Sequence, residues 1–411
     1  MKLPSGMVAL TVAVIFTSFA ATQALGAGTV GTGSPASCTE AALDAACATG
    51  GTVTFNCGAS PVTITVTAPI TIATGKGISP TSIDGGGLIT LSGGGSVGVL
   101  VNPLGGKLTV SNLTITDAGG TGINNSGKLT VTTSSFSNNS GGAIGSDGKT
   151  TVTNSTFASH NTSAIGNGGK MTVSNSTFSG NSSPVVGGGA IFNFGTLKVT
   201  NSTFSDNSGT GNADGGGAIF SCCSSAKLTV TNSTFSGNSA NVGLGGAIST
   251  GGKCTVKDTL FANSTGGSCA GTIKDGGHNL DDSVTCGFKG TGCSSPKGTS
   301  LCNAAPDLDS AGLVNNGGPT QTIAVDSGSA AIGAATCSPK TDQRGYARAG
   351  AGNPKRCTIG AYEFNSPGCP PKLTACGALN VCTNIMSDGN NCGGCGHVCG
   401  AGQKCSKGMC K

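Results

Sequence analysis

Between Lys107 and Asn263 the chain writes nearly the same line seven times. Lys128-Leu129-Thr130-Val131 is followed by Phe136-Ser137-Asn138-Asn139 and then by Gly141-Gly142-Ala143-Ile144. The order returns in Lys170–Val173, Phe178–Asn181 and Gly188–Ile191, and again in Lys227–Val230, Phe235–Asn238 and Gly245–Ile248. The first four lines begin at Lys107, Lys128, Lys149 and Lys170, 21 positions apart. Later lines are lengthened by insertions at Ser182–Gly187, Gly209–Gly215 and Ala240–Leu244. Each line holds three short β-favouring segments separated by Asn, Ser and Gly, and none has a helical period. That pattern makes each line one coil of a parallel β-helix. Adjacent coils then hydrogen-bond along their whole path, about 4.8 Å apart. A single coil buries almost nothing, so stability is shared between neighbours.

Stacking turns the repeat into columns. Three are apolar and form the expected core: Ile115 with Phe136, Phe157, Phe178, Phe204, Phe235 and Phe261; Val110 to Val256; and Ile123 to Ile248. A polar column runs through Asn112, Asn154, Asn175, Asn201 and Asn232, with Thr133 and Asp258 substituting. Asn tolerates the left-handed backbone that a sharp turn needs. This reading accounts for the Asn-x-Ser/Thr triplets without glycosylation. The insertions fall between the Phe-x-x-Asn and Gly-Gly-Ala-Ile segments, so they project from one side of the cylinder. Insertions of this kind often line a binding face, which makes Pro184, Asp214 and Asn241 the candidate binding residues. A further column, Lys107, Lys128, Lys149, Lys170, Lys227 and Lys253, reads foremost as a solvated turn; its alternative is a contact with an anionic glycan or lipid headgroup.

The rest of the chain frames this array. Lys2 and the apolar run Met7–Phe19, followed by small residues, read as a secretory signal peptide over residues 1–26. Twenty Cys agree with an oxidising compartment. No later apolar stretch is long enough to span a membrane as a helix. Ser37-Cys38-Thr39-Glu40 reads as a capping box opening a cap helix over residues 37–50. Residues 51–275 form the β-helix, about nine to ten coils in all. Residues 276–364 form its C-terminal end and cap, with Cys337 and Cys357 a candidate pair. Residues 365–411 hold Cys369, Cys376, Cys382, Cys392, Cys395, Cys399, Cys405 and Cys410. So short a segment cannot build a core, and disulfides rather than a zinc site are expected to hold it. The fold class is therefore all-β: a parallel β-helix with a cap helix and a disulfide-rich C-terminal module.

Several segments resemble known families. Phe178–Asn181 with Gly188–Ile191 resembles the repeats of bacterial polymorphic outer-membrane proteins, right-handed β-helices of the pectin-lyase-like class. Gly276–Leu280, Asn315–Thr320, Asp342–Arg348 and Cys357–Glu363 resemble the end of choice-of-anchor Q domain surface proteins. Asn390–Gly396 with Cys399 and Gly402–Cys405 is similar to the Cys-rich module of STIG-type secreted proteins. These resemblances imply a secreted or cell-surface scaffold.

Chemistry is sparse. The three Arg residues, 344, 348 and 356, all lie past the repeats, and the Asp residues within the repeats are scattered. Paired-carboxylate hydrolysis needs two acids on the order of 5–9 Å apart. The one tempting cluster is Asp281-Asp282 with His278. There is no Trp and only two Tyr to stack on sugars. His160 and His397 read as surface residues, and Cys222-Cys223 as a structural cross-link. No metal or cofactor is called for. A net charge of +5 without a dense basic cluster argues against nucleic acid. The expected role is structural or adhesive, with an extracellular polysaccharide or protein as partner. The alternative is a polysaccharide lyase or glycoside hydrolase.

Overall fold

The computed structural model describes residues 28–211, 215–348, 356–366, 368–369, 373–376, 381–400 and 403–411. The expected signal peptide lies outside them. The chain winds into a right-handed parallel β-helix of about 11 turns. This exceeds the nine to ten expected because the ladder runs past residue 275, with Leu280–Asp281 pairing with Leu260–Ala262 on one side and Ser295–Cys302 on the other.

A typical coil carries the strands Lys128–Thr132, Ser135–Ser137 and Ile144–Ser146. Each pairs in register with its counterparts above and below. Val131 lies beside Val110 and Val152, Phe136 beside Ile115 and Phe157, and Ile144 beside Ile123 and Ile165. The three expected apolar columns are buried throughout. From Phe136 to Phe261 the rings stack with centroids 4.6–5.1 Å apart and planes within 11°. Each such pair contributes about 0.5–1.5 kcal/mol beyond the area it buries.

The turn column has the expected conformation. Asn112, Asn154, Asn175, Asn201 and Asn232 have φ of 48–52°, as do Thr133 (48°) and Asp258 (51°). The next residue turns its hydroxyl inward. Ser155 Oγ accepts the N–H of Ser134 (3.2 Å) and donates to Thr153 O (2.9 Å), and the pattern recurs at Ser176, Ser202 and Ser233.

Two further ladders run inside the cylinder. In the first, the last residue of Phe-x-x-Asn is buried and bonds rung to rung. Asn181 Nδ2 donates to Asn207 Oδ1 (2.8 Å), and Asn207 Nδ2 to Asn238 Oδ1 (3.0 Å). His160 is the member one rung before Asn181; it is buried, not at the surface as expected. In the second, Asn102 donates to Asn125 (2.6 Å) and Asn167 to Asn193 (2.7 Å). Where Ser146 replaces Asn, Thr150 replaces the neighbouring Leu, and the two hydroxyls lie 2.8 Å apart.

The helix over the first coil is Glu40–Cys47, and it buries Leu43, Ala46 and Cys47. Its N-cap is Thr39, whose Oγ1 accepts from Ala42 N, rather than Ser37. Ser37 is already engaged in the turn Pro35–Ser37, where its Oγ donates to Ser34 O and accepts from Thr32 N. Glu40 makes no capping box. Its carboxylate accepts from Thr67 N, Thr67 Oγ1 and Ala68 N, and the Thr67 amide is the main cause of its lowered pKa.

Past Cys302 the chain turns back and lies along the flank of the cylinder. Thr320 Oγ1 donates to Asn175 O. Gln343 Nε2 donates to Thr177 Oγ1, and Gln343 Oε1 accepts from Thr203 Oγ1. Ala361 N donates to Thr234 Oγ1, and Thr336 N and Oγ1 to Asp258. Asp342, Arg344, Arg348 and Glu363 are buried within this strap. Asp342 accepts from Arg344 Nε and Nη2, and the guanidinium lies 4.6 Å and 3.8 Å from the ring centres of Tyr346 and Tyr362. Arg348 pairs with Glu363 at 3.3 Å. Cys337 is bonded to Cys357.

The last segment has two small hairpins, Thr374–Cys376 with Val381–Thr383 and Cys405–Ser406 with Met409–Cys410. Its disulfides are Cys369–Cys382, Cys376–Cys395, Cys392–Cys405 and Cys399–Cys410.

Candidate functional site

The three strands of each coil give the cylinder three outer faces, and their chemistry differs. The first carries the lysines and rows of Thr, as in Lys149–Thr153. The second carries the Thr-Phe-Ser strands. Here Ser135 is exposed and Thr156 half-buried, but Thr177, Thr203, Thr234 and Leu260 are buried because the strap covers them. The third carries the Ile-x-Asn strands, and the insertions border it.

The insertions stack on one another. Ser182 bridges to Ser208, Ser208 pairs with Ser239, and Ser239 bridges to Thr265, so the loops share a short fourth ladder. Pro184 is exposed at the crest, beside Val185 and Val186. Asn241 is exposed, with its Nδ2 donating to Thr210 O (3.3 Å). Asp214 lies outside the described residues. The ridge also holds Val242, 95% exposed.

Beside this ridge the third face becomes aromatic. Its middle position is Asn124, Gly145 and Gly166 in the early rungs and Phe192 and Phe220 in the later ones. Phe192 stacks on Phe220 (5.4 Å, 11°) and meets Phe194 at 4.2 Å. Phe194, in the following turn, is 48% exposed. One rung on, that turn is lengthened by Ser221–Ser225, and Cys222 is bonded to Cys223. A cleft of about 490 Å³ opens there, walled by Phe220, Cys222, Cys223, Leu244, Thr250 and Ala270. A sequence with no Trp and two Tyr gives little sign of a stacking surface, and this one is built of Phe instead. The available signal was an aromatic at an outward position that earlier repeats fill with Gly or Asn.

Asp281, Asp282 and His278 have separate local partners. Asp281 occupies the register position after Phe261 in the Phe column. It is fully buried, and its carboxylate accepts from Ser283 N, Ser283 Oγ and Cys286 N. The turn it closes brings Phe288 to 5.8 Å from Phe261, so the aromatic column ends on Phe288. Asp282 is half-buried and accepts from Asn263 N (2.6 Å). Burial, with a smaller contribution from Asp281, raises its pKa. His278 Nδ1 donates to the strap at Ala334 O (2.9 Å).

In the Cys-rich segment the sulfurs of Cys392, Cys399 and Cys410 lie within 4.8 Å of one another, and each is held in a disulfide. Among the described residues, no helix is long and apolar enough to cross a membrane.

A family model described as "Right handed beta helix region" matches residues 97–269. No curated protein and no solved structure matches the chain. The matched span takes in the repeat array and stops before the strap and the Cys-rich segment.

Proposed function

We propose that the chain is a secreted or cell-surface β-helix protein whose role is structural and adhesive rather than catalytic. The observation that carries this reading is the contrast between the inside and the outside of the repeat. Inside, Asp281 of the pair singled out for catalysis closes a turn, and beside it Asp282 accepts from Asn263 N. Outside, the molecule offers long uniform rows and one aromatic patch beside a ridge of loops. Such surfaces suit binding along an extended partner better than attack on one bond.

The finer assignments follow the same logic. Residues 1–26 serve as the signal peptide. Residues 51–275 belong with the polymorphic outer-membrane type of repeat, and residues 276–364 with the choice-of-anchor Q type of ending. The ion-paired Asp342–Arg344 and Arg348–Glu363 give the latter segment a physical role, fastening the strap. Residues 365–411 act as a STIG-type extracellular module. The many disulfides fit an oxidising environment.

The test is retention of the purified secreted chain on intact cells and on extracellular polysaccharide and protein matrices. Retention that survives washing supports the adhesive reading, and failure on every surface sinks it. Release of unsaturated or reducing ends from acidic glycans, abolished by Asp282→Ala, would establish the lyase or hydrolase alternative instead.

A further inference from the structure

The outer side of the first face carries a feature that the scaffold does not use. In-register pairing sets Lys107, Lys128, Lys149 and Lys170 on four successive rungs, and Lys227 beside Lys253 two rungs further on. Rungs of a parallel ladder are about 4.8 Å apart. All six lysines are exposed, and none makes an ion pair among the described residues. Like charges opposed across a ladder are destabilising. The column is therefore a standing repulsion that an anionic partner would relieve. Two residues along the same strands, Thr109, Thr130, Thr151 and Thr172 form a parallel row of half-buried hydroxyls.

The column is interrupted once, at Thr196, and on that rung an exposed lysine, Lys198, stands in the Thr row instead. Two residues before it stands Phe194, the exposed member of the Phe192–Phe194–Phe220 cluster. The break in the charged row thus coincides with the aromatic patch.

We propose that this edge binds a linear acidic polysaccharide laid along the helix axis. The lysines pair with its acid groups, the Thr row meets its hydroxyls, and a sugar ring stacks on the Phe cluster where the lysine is shifted two residues along the strand, to Lys198. One cation per rung matches a chain with one acid per extended sugar ring. Duplex DNA presents a charge about every 1.7 Å of axis, far denser than the rungs. A lipid surface would call for a broad basic patch rather than a single file. The inference names the ligand for the adhesive reading above and rests on it.

The experiment is affinity electrophoresis of the full-length secreted protein in gels containing polygalacturonate, or its neutral methyl ester as the control polymer. Retardation by the acid polymer alone, lost between about 20 mM and about 500 mM salt, is expected. The triple variant Lys128→Thr, Lys149→Thr, Lys170→Thr tests the column, because Thr already stands in it at position 196. It should weaken binding at least tenfold. Phe192→Ser, the residue type found at position 249 of the same outward row, should weaken it severalfold with the salt dependence unchanged. The control triple Lys289→Thr, Lys297→Thr, Lys340→Thr removes equal charge from exposed sites elsewhere and should leave binding intact. Absence of retardation, equal retardation by the ester, or equal loss in the control triple would each overturn the proposal. If the Lys128, Lys149 and Lys170 triple still adheres to cells like the unaltered chain, the column is not the adhesive surface while the broader adhesive reading stands.

Discussion

His160 Nδ1 lies 2.9 Å from Oδ1 of Asn181, and its Nε2 faces the Nδ2 amide of Asn139 at 3.2 Å. The carboxamide oxygen only accepts and the amide nitrogen only donates. The ring is therefore neutral, protonated on Nδ1 and accepting on Nε2. A second proton would point at an N–H. Burial is the principal force on this group and lowers its pKa to about 4.

A stability dependence follows, with a definite sign. The unfolded ring takes up a proton near pH 6.5, well before the folded one. Stability should be full above that pH, decline as the pH falls towards about 4, and level off below. The total is on the order of 3 kcal/mol. His160→Asn restores the residue found at the neighbouring rungs and should remove this part of the decline, as read from denaturant titrations between those limits.

Thr133 is a β-branched residue at φ 48°, in a column otherwise filled by Asn and Asp. It is exposed, so its replacement disturbs no packing. Thr133→Asn should raise stability by about 1 kcal/mol through relief of the left-handed strain. A thermal midpoint unchanged or lowered would contradict this.

Phe204 sits between Phe178 and Phe235, with its rings 4.8 Å and 4.6 Å away. Phe204→Ala should cost about 3–5 kcal/mol. Because each coil leans on its neighbours, hydrogen exchange should accelerate first at the strands Thr177–Ser179 and Thr234–Ser236, before the distant coils.

Gln343 ties the strap to two coils at once through Thr177 and Thr203. Gln343→Ala leaves buried hydroxyls with lost partners, at a cost of about 1–3 kcal/mol. Limited proteolysis should then cut within residues 315–348 faster than in the unaltered chain, with the repeat array still resistant.

The columns were legible because they obey two simple periods, alternation along a strand and recurrence every 21 residues. Phe136 and Val131 follow both. His160 follows the second, standing 21 positions from Asn139 and from Asn181, but a lone histidine among serines gave no hint of burial. Asp281 was harder to place. Its acidic side chain suggested chemistry, whereas its position, 20 residues past Phe261, put it in the aromatic column. The strap was legible only in its Cys337–Cys357 pair. Its contacts join residues about 140 positions apart, as between Thr341 and Asn201, and pair a non-repeating segment with Thr side chains that look alike in every coil. The aromatic patch was not legible because Phe192 and Phe220 stand at an outward position that earlier rungs fill with Gly or Asn, and so fall in none of the three apolar columns.

The strap has a consequence for how such a molecule can change in length. Its partners, from Asn175 to Asp258, are spaced by particular coils, so it gauges the distance between them. Adding or removing a whole coil there would carry Thr177, Thr203 and Thr234 out of step with Gln343 and Ala361. Asn112, in the first coil of the repeat, walls a cleft together with Asn390 and Val398 of the Cys-rich segment. The returning chain thus meets the cylinder at two heights, and a 21-residue unit inserted between them would change the distance it has to cover.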